Sequence, residues 1–384
     1  MLEQTSRPEN DVLLGAERSA LRDRVQAFAI KEIVPYATRI DREAQFPQDI
    51  YHRAASEGLV GFTRTMGASR DTLDWALVME EIAAASAAVA DILLLSEMLA
   101  FILDEVGSEE QRALLRPLIA GETLGAFALT EHDAGSDAAA IATRAVPDGD
   151  DYILTGTKAY INNASVADWA IVQAKTDPEA GTRGITAFLV KRGQFTSGEP
   201  YDLMGQRGIA VGELYMAGCR VPRSAIVGKE GEGFKLAMRA LDVGRIGIGA
   251  MAVGIARAAY DAAVTYARRR RQFGQPIFSF QGIQWMLADM ATDIEAARLL
   301  VHQAARLRDA GSPFTRAAAM AKLRASDMAM SVTVNALQIH GGVGYRRDLP
   351  LERYVRDAKI TQIYEGTNQI LRQVIARSIG SSQQ

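Results

Sequence analysis

Three groups of side chains in this sequence are of types that do chemistry. The first is Glu365, set between Tyr364 and Gly366. A carboxylate beside an aromatic wall and a flexible backbone unit suits a buried base. Desolvation raises its pKa until it can take a weakly acidic proton, and the neighbouring amide stays free to polarise a carbonyl. The second is the stretch Thr130 to Asp137, in which Thr130 and Ser136 offer hydroxyls and Gly135 lets backbone N–H groups approach an anionic or carbonyl-rich ligand. The third is the run Arg268 to Arg271, followed by Gln272-Phe273-Gly274. Planar, fixed-charge donors suit a pyrophosphate, and the same run also complements the negative end of a helix.

Other chemistries find less support. The one cysteine, Cys219, has no partner for an internal disulfide, and His52, His132, His302 and His340 are scattered without metal-ligand spacing, so no metal site is expected. Gly247-Ile248-Gly249-Ala250-Met251-Ala252 fits the dinucleotide pattern G-x-G-x-x-A, but no strand precedes it and no parallel βαβ alternation follows, so these small residues read as close helix packing. Forty-three basic residues against 46 acidic ones leave a net charge of -3, which provides no broad field for nucleic acid or an anionic membrane. The longest apolar run, Ile82 to Leu103, is interrupted by Asp91 and Glu97 and reads as a buried helix rather than a bilayer span. Met1 to Asp11 is polar and acidic, unlike a signal or transit sequence, and a reducing cytoplasm is the expected location.

These groups need elements to hold them. With 384 residues and 48% hydrophobic content, the chain has material for two or three domains. From about Asp11 to Gly121 apolar residues such as Leu21, Val25 and Phe28 recur at helix spacing. Between about Thr123 and Pro222 the chain turns to short β-branched and aromatic runs separated by Gly- and Asp-rich turns such as Pro147-Asp148-Gly149-Asp150. After Gly233 the helix period returns, as at Leu287, Met290, Ile294 and Leu300. The expectation is an α+β multidomain chain: an N-terminal all-α domain (1–122), a middle β domain (123–225) and a C-terminal four-helix-bundle domain (226–384).

On that order lie four motifs that together resemble the acyl-CoA dehydrogenase family. Phe127-Ala128-Leu129-Thr130-Glu131-His132-Asp133-Ala134-Gly135-Ser136-Asp137 resembles its flavin-contacting signature. Gly156-Thr157-Lys158-Ala159-Tyr160-Ile161-Asn162-Asn163 resembles the stretch that places an aromatic ring beside the isoalloxazine and a small hydroxylic side chain near flavin N5. Met204-Gly205-Gln206-Arg207, Ala240 to Arg245, Arg270 to Gly274 and Phe280-Gln281 form the third region, and Gln338 to Tyr345, Arg356 to Ile360 and Tyr364 to Gln369 the fourth. The resemblance implies bound FAD, contacted by Phe127, Leu129, Thr130, Gly135, Ser136, Tyr160, Asn162, Thr367 and Gln369. It further implies that Phe273, Phe280 and Gln281 contact the cofactor and that Arg270, Gln272, Gln338, Gly341 and Gly342 reach that of a neighbouring subunit. Ser136, Asp242, Arg245, Tyr364 and Gly366 would border the substrate, with Arg245 holding the catalytic region together and Glu365 as the base. Some members carry the base at the position matching Gly244, and glycine cannot do that work.

The implied reaction is α,β-dehydrogenation of an acyl thioester to the trans-2-enoyl product, as in fatty acid metabolism, by a homotetramer (a dimer of dimers) that passes electrons to an electron-transferring flavoprotein. The chain also lacks the extra C-terminal helical domain of the long acyl-CoA oxidases, which favours the dehydrogenase. Two departures stand out: Tyr160 replaces the usual tryptophan or phenylalanine, and Asn162 the usual threonine or serine, an amide that can still donate a hydrogen bond. After Gly61 the loop is shortened and carries Arg64 and Arg70, which could meet an acidic acyl group or a carrier protein, or simply be solvated. Alternatives are the same chemistry on an acyl-carrier-protein thioester and a non-catalytic member kept for binding or assembly.

Overall fold

A computed structural model describes residues 14–62 and 71–381. The Arg64 to Arg70 loop lies outside the described residues. The chain opens with helices α1 (Ala16–Phe28), α2 (Val34–Glu43) and α3 (Gln48–Ser56), α1 and α2 being joined by a π-helical turn over Ala29–Ile33. Next come α4 (Thr72–Ala85), α5 (Ala87–Val106) and the short α6 (Glu109–Arg112) and α7 (Leu115–Ile119). Asp71 starts α4 by accepting the Asp74 N–H, and a Ser108/Gln111 capping box starts α6. The apolar run Ile82 to Leu103 is thus not one helix, as expected, but parts of two. Ser86 adopts an extended conformation (φ -158°, ψ 116°) and its hydroxyl accepts the Val89 N–H, ending α4 and restarting the helix as α5. Among the described residues no helix is long and apolar enough to cross a membrane.

A seven-stranded sheet follows: β1 (Gly125–Ala128), β2 (Arg144–Asp148), β3 (Asp151–Ile161), β4 (Trp169–Lys175), β5 (Ile185–Lys191), β6 (Thr196–Ser197) and β7 (Gly212–Pro222). The order is β1-β4-β2-β3-β7-β6, with β5 on β4. Most pairs are antiparallel, and β1 runs parallel to β4 with Gly125 opposite Trp169. β1 runs opposite to β3 and lies beside that strand's last residues, where the Ala159 N–H donates to the Thr130 carbonyl (2.9 Å).

The C-terminal region holds α8 (Gly233–Arg269), a small hairpin of β8 (Arg271–Gln272) and β9 (Gln275–Pro276), and α9 (Gln281–Asp309), α10 (Thr315–His340), α11 (Leu351–Ile360) and α12 (Asn368–Ser381). α8 packs along α10, α9, α4 and α5, so one apolar core joins both helical regions while the sheet keeps its own. The small residues of α8 are packing residues. A Cβ on Gly247 would lie 2.5 Å from the Trp75 ring, and one on Gly249 2.9 Å from Val301. Where α4, α8 and α9 meet, buried Glu80 takes Arg298 through two hydrogen bonds of 2.9 Å, while Arg257 bonds Glu81 at 2.7 Å.

Candidate active site

A cleft of about 960 Å³, counting its open mouth, lies where α5, the ends of β1 and β3, and α8 converge on the segment before α12. It brings together most of the expected site. Phe127, Leu129, Thr130, Gly135 and Ser136 line one wall, Tyr160 and Asn162 another, and Arg245, Tyr364, Glu365 and Gly366 a third. Asp91, Leu94, Leu95 and Met98, spaced to share one face of α5, complete it.

The loop from Thr130 to Asp137 is held from behind by a buried ion pair. Lys158 donates to Glu131 (2.8 Å) and to the Leu129 carbonyl (2.9 Å), and Glu131 also accepts from the Thr143 N–H and hydroxyl. Burial pushes the Lys158 ammonium down to about 8, with Glu131 acting against that shift. Burial alone would raise the Glu131 carboxyl, but Lys158 and its hydrogen bonds hold it below its ordinary value. β3 ends in distorted backbone, Tyr160 at φ 57° and Asn163 at φ 64°, which turns the half-exposed Tyr160 ring out at the cleft and leaves Asn162 facing Asp91.

Glu365 is itself left-handed (φ 56°), a conformation few non-glycine residues adopt, and Gly366 follows at φ 91°. Two cations hold this strained pair. Arg245 Nε donates to the Glu365 carbonyl (3.1 Å) and Lys322 Nζ to the Gly366 carbonyl (2.8 Å). Arg245 is fixed in turn by Asp242 (2.7 Å), whose other oxygen accepts from Thr315. Lys322 also donates to Asn368 Oδ1 (3.2 Å), and the amide of Asn368, at the start of α12, donates to Ser326 and Asp327 of α10. Behind Tyr364, Gln206 donates to the phenol oxygen (3.2 Å). Asp242, expected on the substrate wall, sits behind Arg245 and does not line the cleft.

The Glu365 carboxylate lies over Gly244, where a Cβ would be 2.2 Å from Oε2, and Oε2 is buried with no hydrogen-bond partner among the described residues. Burial pushes this carboxyl up to about 8. Arg245 and Lys322 oppose the shift, and Asp91 and Asp242 add to it. Burial likewise pushes Lys322 below its ordinary value, and the Glu365 carboxylate acts against that shift. The result is a desolvated, poorly solvated proton acceptor fixed at a cleft wall.

The remaining expected residues do not join this cleft within one chain. Arg270, Gln272, Gln281, Gln338, Gly341, Gly342 and Gln369 are exposed, and Phe273 is 93% exposed against the edge of Phe280 (5.9 Å). Tyr266 of α8 stacks on His340 of α10 at 4.3 Å, which sets the Arg270 hairpin and the Gln338 to Gly342 turn at the same end of the helices. Thr367 serves locally, accepting the Ile370 N–H at 3.3 Å. Sequence reasoning missed Asp91, Lys322 and the tyrosine contact of Gln206. The only sequence signals were a charge inside the apolar run and a lysine within the Ala-rich stretch Ala317 to Ala325.

A helical layer, a small sheet and a helical bundle thus meet at a cleft whose wall carries two desolvated carboxylates, Glu365 and Asp91. Family models for acyl-CoA dehydrogenase match in all three parts: the N-terminal domain over residues 15–122, the middle domain over 126–219 and the C-terminal domain over 231–380. The chain belongs to the acyl-CoA dehydrogenase family. It is 45% identical to acryloyl-CoA reductase (NADH) of Anaerotignum propionicum over 377 residues, 96% of each chain. The solved butyryl-CoA dehydrogenase of Megasphaera elsdenii superposes with a TM-score of 0.93 at 41% identity, covering 95% of this chain and 98% of that one. A chain solved under the description "Electron transferring flavoprotein of Acidaminococcus fermentans" gives a TM-score of 0.93 at 44% identity, covering 95% and 98%.

Proposed function

We propose that the protein dehydrogenates a short acyl-CoA between Cα and Cβ, with Glu365 taking the α-proton, and that its cofactor is FAD. The observation that carries the reading is the Glu365 carboxylate over Gly244, desolvated and with no hydrogen-bond partner for Oε2 among the described residues. The cleft's donor set fits a flavin edge: hydroxyls of Thr130 and Ser136, the Asn162 amide, and apolar Phe127 and Leu129 beside them. FAD, when bound there, would supply the acceptor for the β-hydride. This chain's part is placement. Arg245 and Lys322 hold the Glu365 and Gly366 carbonyls, which fixes the carboxylate against the cleft and keeps it from relaxing towards solvent. Tyr364, tied to Gln206, shields the base from water.

The short acyl group rests on the solved relative named for butyryl-CoA, and an electron-transferring flavoprotein as redox partner on the similarity to the Acidaminococcus structure. The exposed Arg270, Phe273 and Gln338 group supports completion of the cofactor site by a second copy, within a homotetramer. The test is anaerobic bleaching of the purified yellow protein by a panel of acyl-CoA and acyl-carrier-protein thioesters. Bleaching by short acyl-CoA that disappears in Glu365→Gln supports the reading; bleaching unchanged in that variant overturns it.

A further inference from the structure

Asp91 is a carboxylate in an apolar place. It lies on α5 with Leu94, Leu95 and Met98 along one face, its residue is 1% exposed, and it lines the same cleft as Glu365. Its hydrogen-bond donor is the Asn162 amide, and among the described residues no lysine or arginine compensates it. One amide N–H uses only part of a carboxyl's accepting capacity, about four lone-pair sites when ionised. An unsubstituted alkyl chain filling this cleft would expel water and leave the rest of the carboxyl against methylene groups, and that desolvation is costly. A chain that brings its own donor would remove the cost.

We propose, resting on the acyl-thioester reading above, that the cleft selects acyl groups bearing a hydrogen-bond donor, a hydroxyl or a protonated amine, and that Asp91 receives it. Burial pushes the Asp91 carboxyl up to about 7, with the Asn162 amide opposing. It can therefore meet a hydroxyl while protonated and an ammonium while ionised. Leu94, Leu95 and Met98 would pack the intervening methylenes, so the donor is recognised as one polar point on an otherwise apolar wall. Asp91 also adds to the upward push on Glu365. A donor bound to Asp91 would thus be felt at the base as well as in binding.

The experiment uses the flavin-bearing protein and three four-carbon thioesters: butyryl-CoA, 4-hydroxybutyryl-CoA and 4-aminobutyryl-CoA. Binding is read from the perturbed flavin spectrum and turnover from anaerobic bleaching. Binding of at least one donor-bearing thioester about tenfold tighter than butyryl-CoA is expected, as a site built to hydrogen-bond its ligand discriminates against an analogue that lacks the donor. Asp91→Leu should reverse the order. Asp91→Asn, nearly isosteric and the control should the leucine variant misfold, should keep the hydroxyl preference and lose the amine preference. Butyryl-CoA binding best to the parental protein, or Asp91→Leu and Asp91→Asn weakening all three alike, overturns the proposal and leaves Asp91 as a support for Asn162. Absence of bleaching with every thioester would instead count against the dehydrogenase reading, while the order of binding still decides the role of Asp91.

Discussion

The carboxylate of Glu365 occupies the space that a side chain at residue 244 would fill: a Cβ built on Gly244 falls 2.2 Å from Oε2 and 2.7 Å from the carboxyl carbon. A helix of the bundle and the segment before α12 thus share one seat for one acidic group. Gly244→Ala should fold, since it adds one methyl to a helix, but it must push the base aside. A displacement of about 1 Å costs on the order of 100-fold in a positioned reaction, so flavin reduction at saturating thioester should fall by that order. Stopped-flow reduction at an unchanged rate would show that the carboxylate does not need this seat.

Glu365→Gln should retain FAD and bind thioester yet lose flavin reduction by roughly 100- to 10,000-fold, the range for removing a positioned base. In the parental protein the ionised carboxylate is the active form, so kcat/KM should climb with pH towards a limb near 8, to which burial raises the group. Stability runs the other way. Between the ordinary value of 4.5 and about 8 the native state keeps a proton that the unfolded chain has lost, so the contribution is complete below 4.5 and disappears as pH rises through about 8. The glutamine variant, which has no charge to bury, should melt a few degrees higher than the parent at pH 8 and nearly with it at pH 4.5. A lower Tm at pH 8 would contradict the sign.

Much of this is legible in the amino-acid sequence. The α, β, α order follows from a change of apolar period at either end of the strand region, and Glu365, Thr130 and Ser136 carry their chemistry in local pattern. The invisible parts depend on pairings distant in the chain. Lys322 sits among alanines like a solvated helix residue, and only its reach to Gly366, 44 positions on, shows why it is buried. Asp91 served in the sequence only as an argument against a membrane span, because nothing local says that its side chain meets Asn162, 71 positions later. The break at Ser86 was missed because Ala-rich sequence on both sides favours helix, and one extended residue leaves no mark in the apolar period.

Lys322→Met removes a donor to Gly366 and a positive charge that holds the Glu365 carboxyl down. Loosening the backbone should lower the rate of flavin reduction roughly 10- to 100-fold, and losing the charge should move the pH limb to higher pH. The second effect separates this variant from one that merely unfolds locally. A slower enzyme with an unmoved pH limb would assign Lys322 to packing alone.

In the helical core, Glu80 pairs with two buried arginines, accepting hydrogen bonds from Arg298 and lying 3.1 Å from Arg257 Nε. Glu80→Ala leaves both guanidiniums buried, with Glu81 and Asp261 still acting on Arg257 and Glu295 on Arg298. Breaking a buried pair from one side costs ~3–5 kcal/mol, so a large drop in Tm is expected with the isolated-site chemistry unchanged at low temperature. A shift within one degree would mean that water enters the site and solvates the arginines.

The last prediction concerns residues that one chain leaves uncovered. Phe273 displays its apolar ring at 93% exposure, and it and Arg270 stand at the same end of the helices as Gln338. If a second copy supplies the cofactor that they contact, loss of the guanidinium should weaken FAD retention without touching the Glu365 cleft. Arg270→Ala should therefore leave the protein the same mass by light scattering but raise the FAD concentration needed for full yellow colour by about tenfold, the weight of one charge-assisted contact. Once saturated with FAD, the variant should be reduced by thioester at close to the parental rate, because the base and its two cationic clamps are intact. Two results would refute the shared site: a monomer that holds FAD as tightly as the parent, or an Arg270→Ala variant whose FAD requirement does not change.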